Sequence, residues 1–385
     1  MKNQLSSIKA LFRFRIYTII NIIGLAVSVA ATLIIVRYIH QELTVDHFCK
    51  NLDQLYILTA QRSNGSISII DNTDRNNDPN FIDPMKNPEV EGYSYGISYK
   101  DDYIIYDEHR YRVNVLVTDS LFLQLMDYPV ISGIKTIQRP DDAIITRQYA
   151  KHLWGDEEPL GRQFVSSAGY TLTIRGVVDE PDTKSSLQFD LITPANQGKY
   201  MDWTRMGFCI ARLAKGTELK SFNEKISKPQ SLICFGHSPI QFRLLPLKEL
   251  YFDKVVSSES SFFLRGNKEH ITVLSIVACM LLLVGIFNFI NIYTVIILKR
   301  AREFGVKKVY GASGIQIFSQ IYMENVCMVA VSMLLIWTLI EVTAGVFASV
   351  YSIPVKPDLK FDISLSFILL FGLPFITSVY PFLRY

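Results

Sequence analysis

The segment KRAREFGVKKVYGAS, Lys299 to Ser313, gathers Lys299, Arg300, Arg302, Lys307 and Lys308 around one acid, Glu303. Glu303 and Lys307 stand four residues apart, in the favourable order for an ion pair along a helix. Phe304, Val306 and Val309 supply apolar contacts. Gly305 and Gly311 allow close approach or a turn, and Gly311 is expected to break the helix. Ala312 and Ser313 then restart one, with Ser313 as N-cap, leading to Glu324. This is ionic and docking chemistry rather than bond-making chemistry. Such a segment can lie on an anionic leaflet, dock as a helix in a partner's groove, or fix topology by charge alone.

Bond-making chemistry has no comparable signal elsewhere. The sequence holds no GxxxxGK[ST] phosphate loop, no GxGxxG after a strand, no HExxH and no GxSxG. His40, His47, His109, His152, His237 and His270 are scattered, and none has metal-ligand spacing. Ser6 and Lys9 match SxxK by spacing alone, and Asn64-Gly65-Ser66 matches a glycosylation sequon. The acid pairs Asp101-Asp102, Asp141-Asp142 and Glu157-Glu158 read as solvated turns. No catalytic, cofactor or metal site is expected. Cys49, Cys209, Cys234, Cys279 and Cys327 form no CxxC pair. A Cys209–Cys234 disulfide is weighed against free thiols, which the pattern favours. Net charge is +3, too small to argue for nucleic acid.

The elements that must position the basic segment are apolar. Hydrophobic residues make up 49% of the 385-residue chain, only 19% are charged, and mean hydropathy is +0.21. That balance points to membrane spans. Four runs reach the roughly 20 residues a bilayer requires: 16–38, 271–298, 325–350 and 363–383. The first is too long for a signal core and no cleavage site follows it. Lys2, Lys9, Arg13 and Arg15 precede the first span, and the basic segment lies between the second and third. By the positive-inside rule both face the cytoplasm. The expected order is an interfacial amphipathic helix at 1–15, a span, an extracytoplasmic domain at 42–270, and a second span. A cytoplasmic loop at 299–324 follows, then a third span, a short outer loop at 351–362, and a fourth span.

Within the spans, Gly24 and Ser28 have small-xxx-small spacing, which favours close helix contact. Asn288 and Asn291 share a helix face, where packing across helices is weighed against substrate or ion binding. Glu341 is the one acid read inside a span. It either snorkels to the outer interface or serves a function. Pro374 is a candidate kink.

The inserted region is α+β in character. Asp46 to Gln54 reads as a first helix with Asp46 as N-cap. YIIYDEHRYRVNVLVT reads as two strands about an Asp107-Glu108 turn. DDAIITRQYAKHLWG reads as a strand and then a helix over 147–153 stopped by Gly155. QFVSSAGYTLTIRGVVDEP reads as a hairpin turning at Ala168-Gly169 and ended by Pro181. GFCIARLA is another strand and ELKSFNEKI a short helix. The irregular stretch 71–96 is read as a small separate lobe and as a candidate ligand surface.

Three stretches carry a family resemblance. INIIGLAVSVAATLIIVRYIHQELTVDHFCKNLDQLYIL resembles the start of MacB/FtsX-like ABC transporter permeases that have one long periplasmic domain. DDAIITRQYAKHLWGDEEPLGRQF and YTLTIRGVVDEPDTKSSLQFDLI resemble that family's periplasmic core, where a strand ending Gly-Val-Val precedes a proline and a serine-rich turn. NFINIYTVIILKRAREFGVKKVYGASGIQIFSQIYMEN is similar to the start of its membrane domain. The resemblance implies an α-helical membrane protein with four transmembrane helices and an α+β extracytoplasmic domain inserted between helices 1 and 2, in the bacterial inner membrane. It implies that Arg300, Arg302, Glu303, Gly305, Lys307, Lys308, Gly311, Ala312 and Ser313 contact a separate nucleotide-binding subunit. ATP would bind that partner and not this chain. A second permease unit would be required, as a homodimer or a second half. Conformational change would pass through the spans to the outer domain, which is mechanotransmission. Relatives handle peptides, macrolides, lipoproteins or cell-wall hydrolase activation, so a regulator of a periplasmic partner stays open beside an exporter. Relatives also continue past the fourth span, whereas this sequence ends at SVYPFLRY.

Overall fold

A computed structural model describes residues 15–71, 82–194, 207–231, 239–256, 263–351 and 359–384. The chain forms two compact units. One is Met1–Leu43 with Lys268–Tyr385, and the other is Thr44–Asn267. In chain order the helices are α1 (Arg15–Leu43), α2 (Arg147–Trp154), α3 (Leu219–Ile226), α4 (Lys268–Lys299), α5 (Ala301–Val309), α6 (Gly314–Tyr351) and α7 (Leu359–Arg384). Single helical turns also occur at Phe122–Leu125 and Leu247–Leu250.

The inserted unit is built on one mixed sheet. Its strands are β1 (Leu55–Arg62), β2 (Ile67–Ile69), β3 (Val90–Tyr106), β4 (His109–Thr118), β5 (Val130–Gly133), β6 (Asp142–Thr146), β7 (Gln163–Ser166), β8 (Thr171–Val178), β9 (Leu191–Pro194), β10 (Phe208–Leu213), β11 (Gln230–Ser231) and β12 (Pro239–Pro246). The order is β11-β12-β1-β10-β3-β4-β9-β6-β8-β5, with β2 on β1 and β7 joining β3 and β8. β1 and β12 run antiparallel from Tyr56–Pro246 to Arg62–Ile240, so the unit's first and last strands lie side by side. Local chemistry explains the turns. Asp107 and Glu108 both adopt positive φ between β3 and β4, which suits a tight two-residue hairpin. Gly169 does so between β7 and β8, and Gly155 stops α2.

Two expectations for this unit give way. Asp46 to Gln54 is not a helix. It is a series of turns ending in one 3₁₀ turn at Leu52–Gln54, and Asp46 has φ 62° and is buried. Its carboxylate bonds to a distant segment instead of capping its own, so no helix is nucleated. The stretch 71–96 is not a separate lobe. Residues 90–96 belong to β3 and pair with β10, while 72–81 lie outside the described residues. The alternation in VEGYSYG is a strand pattern that the flanking Asn, Asp and Pro residues obscured.

The other unit is a helical bundle. Among the described residues, α1, α4, α6 and α7 are the four helices long and apolar enough to cross a membrane. Each exceeds its apolar run. α6 begins at Gly314, just after the N-cap expected at Ser313, where Ser313 and Gln316 form a reciprocal cap, and it runs without a break into the apolar run at 325–350. α7 begins at Leu359, so Asp362 is helical and not part of an outer loop. Apolar length marks only the stretch able to sit in lipid. Helix caps mark the element, and the two differ by up to three turns here. The amphipathic start at 1–14 and the loop at 352–358 lie outside the described residues.

The bundle core is formed by Leu25, Val29 and Leu33 of α1, Phe289 and Tyr293 of α4, Met328 and Ile336 of α6, and Leu373 of α7. Small residues let α1 and α4 approach. A Cβ on Gly24 would lie 2.6 Å from Asn288 Nδ2, and one on Gly285 would lie 2.7 Å from Ser28 Cβ.

Candidate functional site

The basic segment folds into a braced tip. α4 ends at Lys299, α5 runs from Ala301 to Val309, and Arg300 is the hinge residue between them. Gly311, at φ 88°, turns the chain before α6. Few residues other than glycine accept that φ.

Arg300 is the centre of this arrangement, and it faces inward. Its side chain is 5% exposed, and the Glu324 side chain on α6 is fully buried. Nη1 donates to Glu324 Oε2 at 2.6 Å and Nη2 to Oε1 at 3.2 Å. Nε and Nη2 also reach Glu303 Oε2 and Oε1 at 3.0 and 3.2 Å. Lys307 Nζ donates to Glu303 Oε1 at 2.8 Å and to Gln320 Oε1 at 2.9 Å, and Gln320 Nε2 donates to Glu324 Oε1 at 3.0 Å. Tyr293 of α4 adds its hydroxyl to Glu324 Oε2 at 3.4 Å. One connected network therefore fastens α5 to the end of α4 and to the first turns of α6. Burial works against the Arg300 charge, but the hydrogen bonds it donates to Glu324 and Glu303 outweigh it and raise the pKa. Partial burial would raise the Glu303 carboxyl. The bonds from Arg300 and Lys307 outweigh it and lower the pKa from 4.5 to about 2.

The surface of the tip is a separate set of residues. Val309, Tyr310 and Ile315 are 87%, 88% and 81% exposed, and Val306 and the cations Arg302 and Lys308 are exposed beside them. Gly305 and Gly311 leave open space around them. The nine sequence-selected residues thus divide into two groups. Arg300, Glu303 and Lys307 hold the tip in place. Arg302, Lys308, Gly305 and Gly311 belong to its outer face, with Ala312 and Ser313 forming the turn and cap.

Span residues divide as well. Gly24, Ser28 and Asn288 meet at the α1–α4 contact. Asn291 does not join them. It is exposed on α4. Asn288 is joined inside the bundle by Asn21, which donates to Phe289 O at 3.5 Å, and Asn325, which donates to Ser378 Oγ at 2.6 Å. Asn288 and Asn291 differ by about 60° in direction on a helix turning 100° per residue, and only one of them points into the bundle. Glu341 is exposed on α6.

Sequence reading passed over a second buried ion pair. Arg37 of α1 donates from Nε to Asp362 Oδ1 at 2.7 Å and from Nη2 to Oδ2, and its guanidinium lies 5.3 Å from the Trp337 ring centre. Glu324, Arg37 and Asp362 share one signal in the sequence: a single charge at the edge of an apolar run, with an opposite charge at the edge of another.

The inserted unit has its own fastening point. Asp46 N donates to Lys184 O at 2.8 Å, Ser186 N donates to Asp46 Oδ1 at 2.8 Å, and Phe48 N donates to Thr183 Oγ1 at 3.0 Å. Leu264 N donates to Ser186 O at 2.6 Å, and Leu187 bridges Phe263. The serine-rich turn 183–187 thereby holds both the first and the last segment of this unit. Burial raises the Asp46 carboxyl against the bonds from Ser186 and Ser185. Cys209 is a buried free thiol in β10, and Cys234 lies outside the described residues. No metal-binding cluster of His, Cys, Asp or Glu occurs among the described residues.

Comparison with known proteins places these parts. The MacB-like periplasmic core domain family matches residues 18–228, and the FtsX-like permease C-terminal family matches 275–385. No curated protein matches. Among solved structures, a domain assigned to a permease of Porphyromonas gingivalis is 18% identical with a TM-score of 0.40, covering 54% of this chain and 93% of that one. The periplasmic region of MacB from Actinobacillus actinomycetemcomitans is 11% identical with a TM-score of 0.35, covering 52% and 94%. The extracellular domain of the ABC-type transporter YknZ from Gram-positive bacteria is 14% identical with a TM-score of 0.35, covering 49% and 99%.

Proposed function

Since the chain belongs to the MacB/FtsX-like ABC permeases, we propose that it is a permease subunit driven by a separate nucleotide-binding subunit that docks on the α5 tip. The observation that supports this is the division of labour in the tip. An exposed face of Val309, Tyr310, Ile315, Arg302 and Lys308 stands on a base held by Arg300, Glu303 and Glu324. An exposed apolar patch rimmed by charge fits a protein partner. A base of buried, bidentate charge-assisted bonds moves as one piece with α4 and α6.

Force applied at the tip would then act on whole helices. α4 continues in sequence into the inserted unit, as α1 does. ATP stays on the partner, and this chain supplies the lever. On this reading the protein is a multi-pass inner-membrane component with its large domain in the periplasm, working with a second permease unit to export or release a substrate there. A non-transporting regulator of a periplasmic partner uses the same lever and differs only in its output.

Co-purification of the nucleotide-binding subunit with full-length chain tests the docking. Tyr310→Asp with Val309→Asp is expected to abolish association while leaving thermal stability unchanged, because neither side chain is packed. Undiminished association would refute the assignment. ATP-dependent movement of substrate in reconstituted vesicles separates the exporter from the regulator.

A further inference from the structure

Among the described residues the inserted unit buries two acids, Asp46 and Asp142, and it holds them differently. Asp142 has Arg175 Nε at 3.9 Å and accepts from Gln138 N and Arg139 N at 3.0 and 2.9 Å. Asp46 accepts from Ser186 N at 2.8 Å, and no lysine or arginine among the described residues pairs with it. A carboxylate taken out of water without a cation is costly, and the group relieves that cost by taking up a proton. Burial accordingly raises the Asp46 carboxyl, against the opposing effects of Ser186, Ser185 and His47. Ser186 Oγ, on the residue that bonds the carboxyl, is buried with no hydrogen-bond partner among the described residues. A neutral carboxyl offers that oxygen an O–H, whereas a carboxylate can only accept.

The charged and titratable groups nearby are engaged elsewhere. His47 and Cys49 lie on the same segment as Asp46, and His47 is exposed. Lys184, on the serine-rich turn, donates from Nζ to Tyr251 OH at 2.9 Å. Arg265 follows Leu264, whose N donates to Ser186 O, and its own side chain donates to Leu250 O. Asp127 accepts from Lys50 N at 2.9 Å, and Tyr128 OH lies 2.7 Å from Ser185 Oγ.

We propose that Asp46 is a proton-operated fastener: its carboxyl is neutral while the first segment of the inserted unit is clasped to turn 183–187, and its ionisation opens the clasp. The fastener stands three residues after Leu43, where the chain leaves α1. Opening frees residues 44–50 from Lys184 O, Ser186 N and Thr183 Oγ1. In the open form Asp46 returns to the ordinary carboxyl value of 3.8, and in the closed form it lies higher. The closed form therefore holds the extra proton. The clasp is tightest in acid and loosens as pH rises, by up to about tenfold per pH unit between the two values. This switch goes beyond the docking reading above and does not depend on it.

Cys49 reports the opening. Its thiol is buried, donates to Met126 O at 3.1 Å and has its pKa raised by burial, so it reacts only when this segment lets go. The test uses the full chain in detergent with Cys209, Cys234, Cys279 and Cys327 replaced by alanine, and follows maleimide labelling of Cys49 from about pH 4.5 to 7.5. Each rate is divided by that of a free peptide of residues 44–54 at the same pH, which removes the thiol's own titration. The corrected rate is expected to rise about threefold or more across this range. In Asp46→Asn it is expected to stay flat, since asparagine keeps the shape, accepts φ 62° and both donates and accepts. Asp46→Ser takes its place if that chain does not fold. His47→Gln is expected to keep the rise, which separates Asp46 from the neighbouring imidazole. A rate that is flat with Asp46 present, a rise that survives its replacement, or a rise lost in His47→Gln overturns the proposal. Each of these results leaves the docking at the α5 tip where it stands.

Discussion

Replacing Glu324 by alanine should be the most damaging single change at the tip, and its size can be worked from the network. The substitution removes both carboxylate oxygens that Arg300 contacts at 2.6 and 3.2 Å, and strands the bonds from Gln320 and Tyr293. Breaking a buried ion pair by deleting one partner costs about 3–5 kcal/mol, because a charge is left uncompensated. Arg300 keeps Glu303 at 3.0 and 3.2 Å, so the lower end applies. At roughly 2–4 °C per kcal/mol for a unit of this size, about 3 kcal/mol lowers the unfolding midpoint by about 6–12 °C. Heating full-length protein in detergent, followed by size exclusion, reads that shift. Glu303→Ala alone should cost less, since its carboxylate is 40% exposed. Both alanines together should cost more than the sum, since Arg300 then loses every acid it touches. Replacing the pair by Arg300→Met with Glu324→Leu should recover most of the loss, because a buried ion pair is worth little against a packed apolar pair. Arg302→Gln, on the exposed face, should change nothing. A Glu324→Ala shift under about 2 °C, or a Met/Leu double variant no better than the single, would refute the account of Arg300 as a buried charge held by two acids.

The depressed Glu303 pKa has a pH consequence. A carboxyl lowered from 4.5 to about 2 by folding stabilises the tip fully above pH 4.5 and loses that contribution as pH falls toward 2. With solvent screening of a part-exposed group the contribution is about 1 kcal/mol. The midpoint gap between wild type and Glu303→Gln should therefore hold from pH 7 to 5 and shrink by more than half at pH 3. An unchanged gap at pH 3 would sink it. At the α1–α4 contact, Gly285→Ala should cost about 1–2 kcal/mol, because its Cβ meets Ser28 Cβ at 2.7 Å and neither helix backbone can yield cheaply. Gly24→Ala should cost far less in the same melt, because the atom it meets at 2.6 Å is the mobile end of Asn288. Equal losses at the two positions would contradict the packing described.

Periodicity and turn chemistry were enough to place most elements, since these are local. The Asp107-Glu108 hairpin, the stop at Gly155, the Gly311 turn and the Ser313 cap each follow from two to four neighbouring residues. Elements failed where the deciding partner was distant in sequence. Asp46 has every local mark of an N-cap, but its carboxylate is taken by Ser186 N, 140 residues away. The serine-rich turn carries no local signal of its role. Its role is to hold two segments far from it in the chain. Asn288 and Asn291 looked equivalent because a three-residue step leaves both on one broad face. Only the position of α1 shows that the boundary between packed and exposed falls between them.

The roles of the charged residues are hidden in the sequence for a related reason. Counting lysines and arginines assigns each cation to a side of the membrane, and that treats Arg300 and Lys308 alike. The structure separates them completely. Arg300 is spent on Glu324 and Glu303, while Lys308 is exposed. The same holds for Arg37, which Asp362 neutralises. These two pairs tie helices that are not consecutive in a simple sense: α1 to α7 through Arg37–Asp362, and the α4–α5 junction to α6 through Arg300–Glu324. A bundle whose helices are joined by buried, bidentate pairs resists sliding of one helix past another, since any slide exposes an uncompensated charge to a low dielectric. Motion that keeps both pairs intact is therefore motion of the bundle as a body. On the proposed docking at the tip, a tip fastened into such a bundle would give the partner leverage on the helices that these two pairs join.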